Sequence, residues 1–170
     1  QYTNTNKEVL EIAGKLLDYG VDLGFLMTSL YGTNSLPAIK FSGYLTSKIQ
    51  VNDEFKYTWF TVTYDEWKKA GLSLEDLKNA FNRTRDGSLR AIDGADFTFC
   101  ISEDELEYVG GSLRSRNPGI LDLSKLAKIL GGGGHQEAAG FLIRDKSMEE
   151  AEKLVHETIK KHYGEIKISK

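Results

Sequence analysis

The chain has 170 residues, of which 40% are hydrophobic and 28% are charged, and a formal net charge of −3. This composition excludes a disordered chain. The acidic balance argues against non-specific binding to long nucleic acid, but it permits a local pocket for a small anion. The single cysteine, Cys100, stands in an apolar run, so we expect a buried, inert thiol, no internal disulfide and a cytoplasmic location. The sequence contains no apolar run long enough to span a bilayer, so we expect no membrane partner.

Residues 1–50 have the pattern of a helical linker or docking segment. Thr5 to Glu8 form a capping-box pattern, apolar residues follow at helical spacing, and Gly20 is placed to end this first helix. Asp22 is placed to cap a second helix, and residues 38–50 allow a third. Because the chain starts with Gln1 rather than Met, directly before a helix-like segment, we expect further residues upstream.

Residues 51–170 alternate between strand-like and helix-like segments. Tyr57–Thr63 is dense in aromatic and β-branched residues and predicts a strand, and Ser73 is placed to cap a helix. Two strands joined near residues 102–104, a short helix, a strand and a last helix follow, at Ala95–Ile101, Glu105–Arg116, Asp122–Leu130, Ala138–Ile143 and Ser147–Tyr163. We therefore predict an α/β (α+β) fold, with a mixed β-sheet flanked by helices in a domain of about 120 residues.

Several aromatic residues and two histidines are not included among the candidate site residues. Tyr57, Trp59 and Phe60 are suited to stacking on a base, but aromatic residues in a strand more often form core. His156 and His162 fall in the last helix and are expected to face solvent. His135 is the third histidine, and its surroundings are different.

Four consecutive glycines, Gly131, Gly132, Gly133 and Gly134, precede His135 and form the most unusual segment of the chain. Glycine costs backbone entropy at every position, so four in a row require a physical reason. One interpretation is a flexible connector. The other is a loop whose N–H groups approach an anion closely, and the histidine and the small residues that follow favour it.

A second candidate segment, Ser112–Arg116, ends a predicted strand. Period-two alternation places Ser112, Arg114 and Arg116 on one face. A guanidinium group binds phosphate through two hydrogen bonds, so this face suits a phosphate or carboxylate, although solvated arginines at a strand end are the alternative. The short helix after it returns the chain to the same edge of the sheet, so the two segments are predicted to converge.

Together these segments resemble the DHH-associated C-terminal domain of DHH-family phosphoesterases. The resemblance rests on Ser-Leu-Arg-Ser-Arg at 112–116, the short helix, and Gly-Gly-Gly-Gly-His-x-x-Ala-Ala-Gly-Phe at 131–141. More loosely, residues 2–5, 16–22 and 30–32 resemble the linker of the oligoribonuclease-like branch. The resemblance implies a linker at residues 1–50 and a substrate-binding domain at residues 51–170.

The resemblance also implies a division of labour between two domains. Members of this family carry a Mn²⁺ pair in an N-terminal DHH domain with an Asp-His-His motif, which is absent from this sequence. We therefore expect no metal or cofactor in this fragment, which would be inactive alone and have the DHH domain as its partner. By resemblance, Arg114 and Arg116 hold phosphate oxygens, assisted by Ser112 and the glycine amides. His135 contacts the scissile or a neighbouring phosphate and stabilises developing charge.

The implied substrates are short oligoribonucleotides or small phosphorylated nucleotides such as phosphoadenosine phosphate, with cyclic dinucleotides second. Two hypotheses from other functional classes stay open. One is a nucleic-acid-binding module similar to the C-terminal part of alanyl-tRNA synthetase, which is expected to carry a more basic surface. The other is a structural or homodimerising domain without a ligand.

Overall fold

The computed structural model describes residues 5–32, 34–105 and 108–168, so the resemblance at residues 2–4 lies outside the described residues. The helices are α1 (Lys7–Asp18), α2 (Leu23–Met27), α3 (Leu36–Ser47), α4 (Tyr64–Ala70), α5 (Leu74–Arg83), α6 (Leu123–Ile129) and α7 (Met148–Ile166). The strands are β1 (Gln50–Asn52), β2 (Tyr57–Val62), β3 (Phe97–Glu105), β4 (Tyr108–Ser115), β5 (Gly133–Gly134) and β6 (Ala138–Arg144). Thr28–Gly32 and Thr84–Leu89 are π-helical. Across these described ranges, no helix is long and apolar enough to cross a bilayer.

The strands join in one sheet, in the order β1-β2-β3-β4-β6-β5. β2 and β3 are parallel, since α4 and α5 form the crossover between them, and the other neighbours are antiparallel. The predicted mixed sheet with flanking helices is thus confirmed.

Each face of the sheet has its own hydrophobic core. On one face, Phe99 and Leu113 pack with residues of α6 and α7, including Val155. On the other face, Cys100 packs with Leu45 of α3 and with residues of β2. Cys100 is fully buried as predicted, and burial raises the pKa of its thiol to about 12. This cysteine is therefore a core residue.

The chain divides into two compact units, residues 1–35 and 36–170. In the first unit, α1 and α2 contain no buried residue and carry exposed apolar side chains such as those of Leu10 and Phe25. The second unit includes α3, whose Leu45 is buried and whose Ser42 hydroxyl lies 3.0 Å from the Thr84 hydroxyl. Packing thus places α3 with the sheet, while the functional division at residue 50 stays a prediction.

Several element ends differ from the sequence predictions. The first helix is capped by Asn6, not by Thr5, because the Asn6 side-chain oxygen accepts a hydrogen bond from the Val9 amide at 3.0 Å. The predicted turn at residues 102–104 is wrong, since β3 continues through these residues to Glu105 with a shift of register before its end. The sequence pattern also misses α4, although it begins with a capping box.

A polar and aromatic network connects β2 to α7. The Tyr57 hydroxyl lies 2.6 Å from Nδ1 of His156, and Nε1 of Trp59 donates to Glu152 at 2.7 Å. The expectation that both histidines of α7 face solvent is wrong, because the side chains of His156 and His162 are only 28% and 19% exposed. Tyr57 is buried, and this desolvation raises its pKa to about 12. The aromatic residues of β2 therefore pack in the hydrophobic cores.

We expect Glu152→Gln to reduce the loss of stability in acid. The interaction with His156 and the hydrogen bond from Trp59 hold the pKa of Glu152 below its ordinary value of 4.5, against the effect of burial. Such a carboxylate stabilises the fold above its unfolded pKa, and this stabilisation is lost as the pH falls through the folded pKa. Urea unfolding at a series of pH values from about 7 to 2 should show a shallower decline for the variant below pH 4.5.

Glu157→Gln is the matched control on the same helix, because the Glu157 side chain is 65% exposed and lies 4.0 Å from Lys153, which is itself 75% exposed. The control should retain the acid decline of the unmodified protein. Equal declines for the Glu152 and Glu157 variants would contradict the assignment of acid sensitivity to the β2–α7 network.

Candidate functional site

β4 carries residues 112–115 of the predicted arginine segment with the expected alternation, and it ends before Arg116. Leu113 is buried against α6 and α7, whereas Ser112 and Arg114 lie on the opposite face and are half-buried. On β6, Gly140 is the partner of Ser112 and Ala138 is the partner of Arg114. Directly paired residues lie on the same side of a sheet. We call the surface formed by Ser112, Arg114, Ala138 and Gly140 the arginine face.

The glycine segment forms the end of α6 and the edge strand β5, rather than a free connector. Gly131 adopts a positive φ of 81° after the helix, and the Gly132 amide donates to the Ala127 carbonyl at 2.8 Å. A Cβ on Gly132 would lie 2.0 Å from the Gly140 carbonyl oxygen, and one on Gly134 would lie 2.6 Å from the Ala139 Cα. Close packing therefore explains glycine at positions 132 and 134, and the positive φ explains it at position 131. The Gly132 amide is used within the fold.

His135 begins the tight turn that joins β5 to β6. Its amide donates to the Ala138 carbonyl at 2.8 Å, and the Ala138 amide returns a bond to the His135 carbonyl at 3.2 Å. The Glu137 carbonyl accepts a bond from the Ser115 amide at 2.8 Å, which ties the turn to the end of β4. The His135 side chain is exposed. The fold thus brings the arginine segment and the glycine–histidine segment side by side, as the sequence predicts.

The two predicted arginines have different surroundings. Nη1 of Arg114 donates to the Leu113 carbonyl at 2.9 Å, and its side chain is 25% exposed. Burial, followed by the charge of Arg85, holds the pKa of Arg114 below its ordinary value.

Arg116, by contrast, bonds to the loop before β3. Its guanidinium group donates to the carbonyl oxygens of Arg90 and Ala95 at 3.2 and 3.3 Å and to Asp93 at 3.2 Å. These bonds give Arg116 a structural role, and a contact between Arg116 and phosphate stays a prediction.

Two charged residues of the site are not found from the sequence. Arg85 and Asp86 lie in the π-helical segment Thr84–Leu89, where Arg85 donates to both oxygens of Asp86 at 2.9 and 2.6 Å. Asp86 also lies 3.9 Å from Nε of Arg114. Burial favours the neutral acid, but the Arg85 hydrogen bonds and the nearby arginine charges lower the pKa of Asp86 overall. The feature of the sequence that could have indicated these two residues is the density of arginines, at positions 83, 85 and 90.

Two neighbouring cavities open beside these residues. A cavity of about 270 Å³ is lined by Ser112, Gly140 and other residues of β4 and β6. A larger one, of about 580 Å³, lies along α5 and includes Arg85. Both are lined by Phe81 and Ser102. The larger cavity is within the size range of small-molecule sites.

Metal-catalysed hydrolysis of a phosphoester through two ions requires several carboxylates and imidazoles around the ions. In the part of the chain that the structure describes, no three His, Cys, Asp or Glu side chains are grouped so as to hold a metal ion. The charged residues of this site fit the binding of an anion.

Comparison with known proteins identifies the family to which the chain is similar. A family model of the DHHA1 domain matches residues 56–161, which include both candidate segments. The bifunctional oligoribonuclease and PAP phosphatase NrnA of Thermus thermophilus is 30% identical over 160 residues, 94% of this chain and 45% of the relative. The protein of the same name from Bacillus subtilis is 27% identical over 155 residues, 91% of this chain and 45% of the relative. The chain thus spans less than half the length of these relatives.

The fold is also found in a solved structure. The crystal structure of an exopolyphosphatase-related protein from Bacteroides fragilis has 25% sequence identity and a TM-score of 0.81. The match covers 96% of this chain and 46% of that chain. It confirms the mixed sheet with flanking helices.

We expect Gly132→Ala to destabilise the protein and Gly133→Ala to leave its stability nearly unchanged. The added methyl group at position 132 would meet the Gly140 carbonyl, while at position 133 it would meet no atom within 4 Å. Overpacking of this kind costs about 1–3 kcal/mol. Chemical denaturation of the two variants measures the difference. Equal stability of both variants would contradict the packing role of the segment.

Proposed function

Because this chain belongs to the DHHA1 domain family, we propose that it is the substrate-binding half of a Mn²⁺-dependent DHH-family phosphoesterase. The proposed substrates are short oligoribonucleotides or small phosphorylated nucleotides. The observation that carries the proposal is the pairing of Arg114 with Ala138, three residues after His135. This pairing brings the guanidinium group of Arg114 and the exposed imidazole of His135 to the same end of the sheet.

Arg114 is the proposed ligand of a substrate phosphate. Guanidinium N–H groups match the spacing of phosphate oxygens and keep their charge at all physiological pH values. Arg114 is held by its bond to the Leu113 carbonyl, so its position is set before a ligand arrives. Partial burial strengthens its attraction for an anion, because less water screens the charge.

The small residues of the arginine face permit close approach of a ligand to the backbone. Gly140 has no side chain, and the partner residue Ser112 offers a hydroxyl group that can donate to a phosphate oxygen. The cavity of about 270 Å³ lies over these two residues. We therefore assign Ser112 to the same phosphate as Arg114 or to its neighbour along the chain of the nucleotide.

His135 is the proposed contact to the scissile or a neighbouring phosphate. An imidazole beside a phosphoryl group can donate an N–H to the oxygen on which charge develops. The turn is fixed by its bond to Ser115, so the histidine is held near the end of β4. No covalent step is assigned to this chain, and the hydrolytic step belongs to a metal-binding DHH domain as its partner.

The names of the relatives support the substrate class. The two curated relatives are described as acting on oligoribonucleotides and on PAP. The net charge of −3 is consistent with a local anion site rather than with an extended nucleic-acid surface. Short oligoribonucleotides and small nucleotides carry few phosphates, so a local anion site is sufficient to bind them.

The proposal is tested by NMR titration of the ¹⁵N-labelled chain with a 5′-phosphorylated diribonucleotide, with inorganic phosphate and polyphosphate as controls. We expect selective shifts at Arg114 and His135, and a loss of affinity of about tenfold in Arg114→Gln and His135→Ala, since each removes a charge-assisted or polar contact.

Arg144→Gln is the matched control for the loss of charge. Arg144 lies on β6 at the far end of the same strand pair, where it donates to the Tyr108 hydroxyl at 2.8 Å. This variant should bind the dinucleotide with unchanged affinity. Equal weakening in the Arg114 and Arg144 variants would indicate a non-specific charge effect and would refute the site.

A further inference from the structure

Asp86 occupies the position between two arginines of the site. Its carboxylate accepts two hydrogen bonds from Arg85, at 2.9 and 2.6 Å, and lies 3.9 Å from Nε of Arg114. The Arg85 and Arg114 side chains are 18% and 25% exposed, whereas that of Asp86 is 45% exposed. The anion is thus the most accessible member of the group.

The Asp86 carboxylate accepts the hydrogen bonds of the Arg85 guanidinium group in the way that an external anion would. Arginine presents two parallel N–H groups that bind either a carboxylate or a phosphate. Asp86 directly follows Arg85 in sequence, so its carboxylate reaches this position without any contribution from another element.

The two arginines need an anion between them. Each guanidinium charge disfavours the other, and the charge of Arg85 contributes to the lowered pKa of Arg114. Both side chains are largely removed from water, which increases the cost of an uncompensated pair of like charges. Asp86 supplies the compensating charge in the free protein.

We propose that Arg85 and Arg114 form an anion subsite for a phosphate group of the substrate, and that the Asp86 carboxylate is its internal occupant, displaced when substrate binds. This inference rests on the proposed function and adds Arg85 and Asp86 to it. A phosphate group carries more charge and more acceptor oxygens than a carboxylate, so it competes effectively for the same donors. The exposure of Asp86 allows its side chain to turn into solvent.

The cavities give such a phosphate suitable surroundings. Arg85 lines the larger cavity, of about 580 Å³, together with Phe81 and Asn82, and Phe81 also lines the cavity beside Ser112. A phosphate held by Arg85 and Arg114 would therefore have space on the α5 side for the nucleoside attached to it. Asp86 would then set the affinity, because its removal from the pair is part of binding.

Asp86→Asn is the direct test. Asparagine retains the size of the side chain but removes the competing charge, so we expect the variant to bind the 5′-phosphorylated diribonucleotide about three- to tenfold more tightly. Titration calorimetry at fixed salt concentration measures the change, with inorganic phosphate as the second probe. Arg85→Gln should weaken the binding of both probes.

Asp93→Asn is the matched control, because Asp93 also contacts an arginine, at 3.2 Å from Arg116, and its side chain is fully exposed. It removes the same charge without opening the proposed subsite. Tighter binding by the Asp86 variant than by the Asp93 variant supports the inference. Equal affinities of these two variants, or weaker binding by Asp86→Asn, would overturn it.

The remaining outcomes separate this inference from the proposed function. If the unmodified chain binds the dinucleotide and Arg85→Gln binds it equally well, the subsite is wrong and the proposed function stands. If neither the unmodified chain nor any variant binds, both are refuted. Thermal unfolding of each variant is measured in parallel, and if Arg85→Gln does not fold, the comparison of the two aspartate variants decides.

Discussion

The antiparallel pairing of β4 with β6 is the interaction on which the rest of the site depends. It sets Arg114 opposite Ala138 and Ser112 opposite Gly140, and thereby joins two segments that are separated by a helix in the sequence. The edge strand β5 adds to β6 only because Gly132 and Gly134 allow the two backbones to approach closely. The turn that carries His135 is then fixed to α6 and to β4 by bonds of its backbone carbonyl groups. The glycines thus allow the backbone of the site to pack, and the arginine side chains give the site its charge.

The two faces of the sheet carry different residues, which explains why the candidate binding residues lie on one of them. One face is filled by apolar residues that pack with α6 and α7. On the other face the core includes Cys100, but its neighbours on β4 and β6 are serine, glycine, alanine and arginine. Such small residues leave room at the surface and bring backbone and guanidinium groups within reach of a ligand. A pair of partly buried arginines is stable there because an anion lies between them, and Asp86 is that anion in the free protein.

Local patterns were sufficient for most elements and for the central part of the site. Alternation along Ser112–Arg116 predicted the face of Arg114, and the short helix after it predicted that the glycine segment returns to the same sheet edge. The sequence could not show that Gly132 is required by the Gly140 carbonyl, or that Arg116 bonds to the loop at 90–95, because these contacts depend on tertiary structure. Arg85 and Asp86 were missed for the same reason, since a π-helical segment has no distinctive pattern and its pairing with β4 is long-range. His156 was misassigned because its partner, Tyr57, lies 99 residues away.

The most direct measurement is a crystal structure of this chain with a 5′-phosphorylated diribonucleotide. The account predicts a phosphate group on the arginine face, with oxygens within about 3 Å of the Arg114 guanidinium group and with Asp86 turned away from Arg85. A nucleotide bound on the opposite face, beside Tyr57 and His156, or bound without any contact to Arg114, would contradict the central claim.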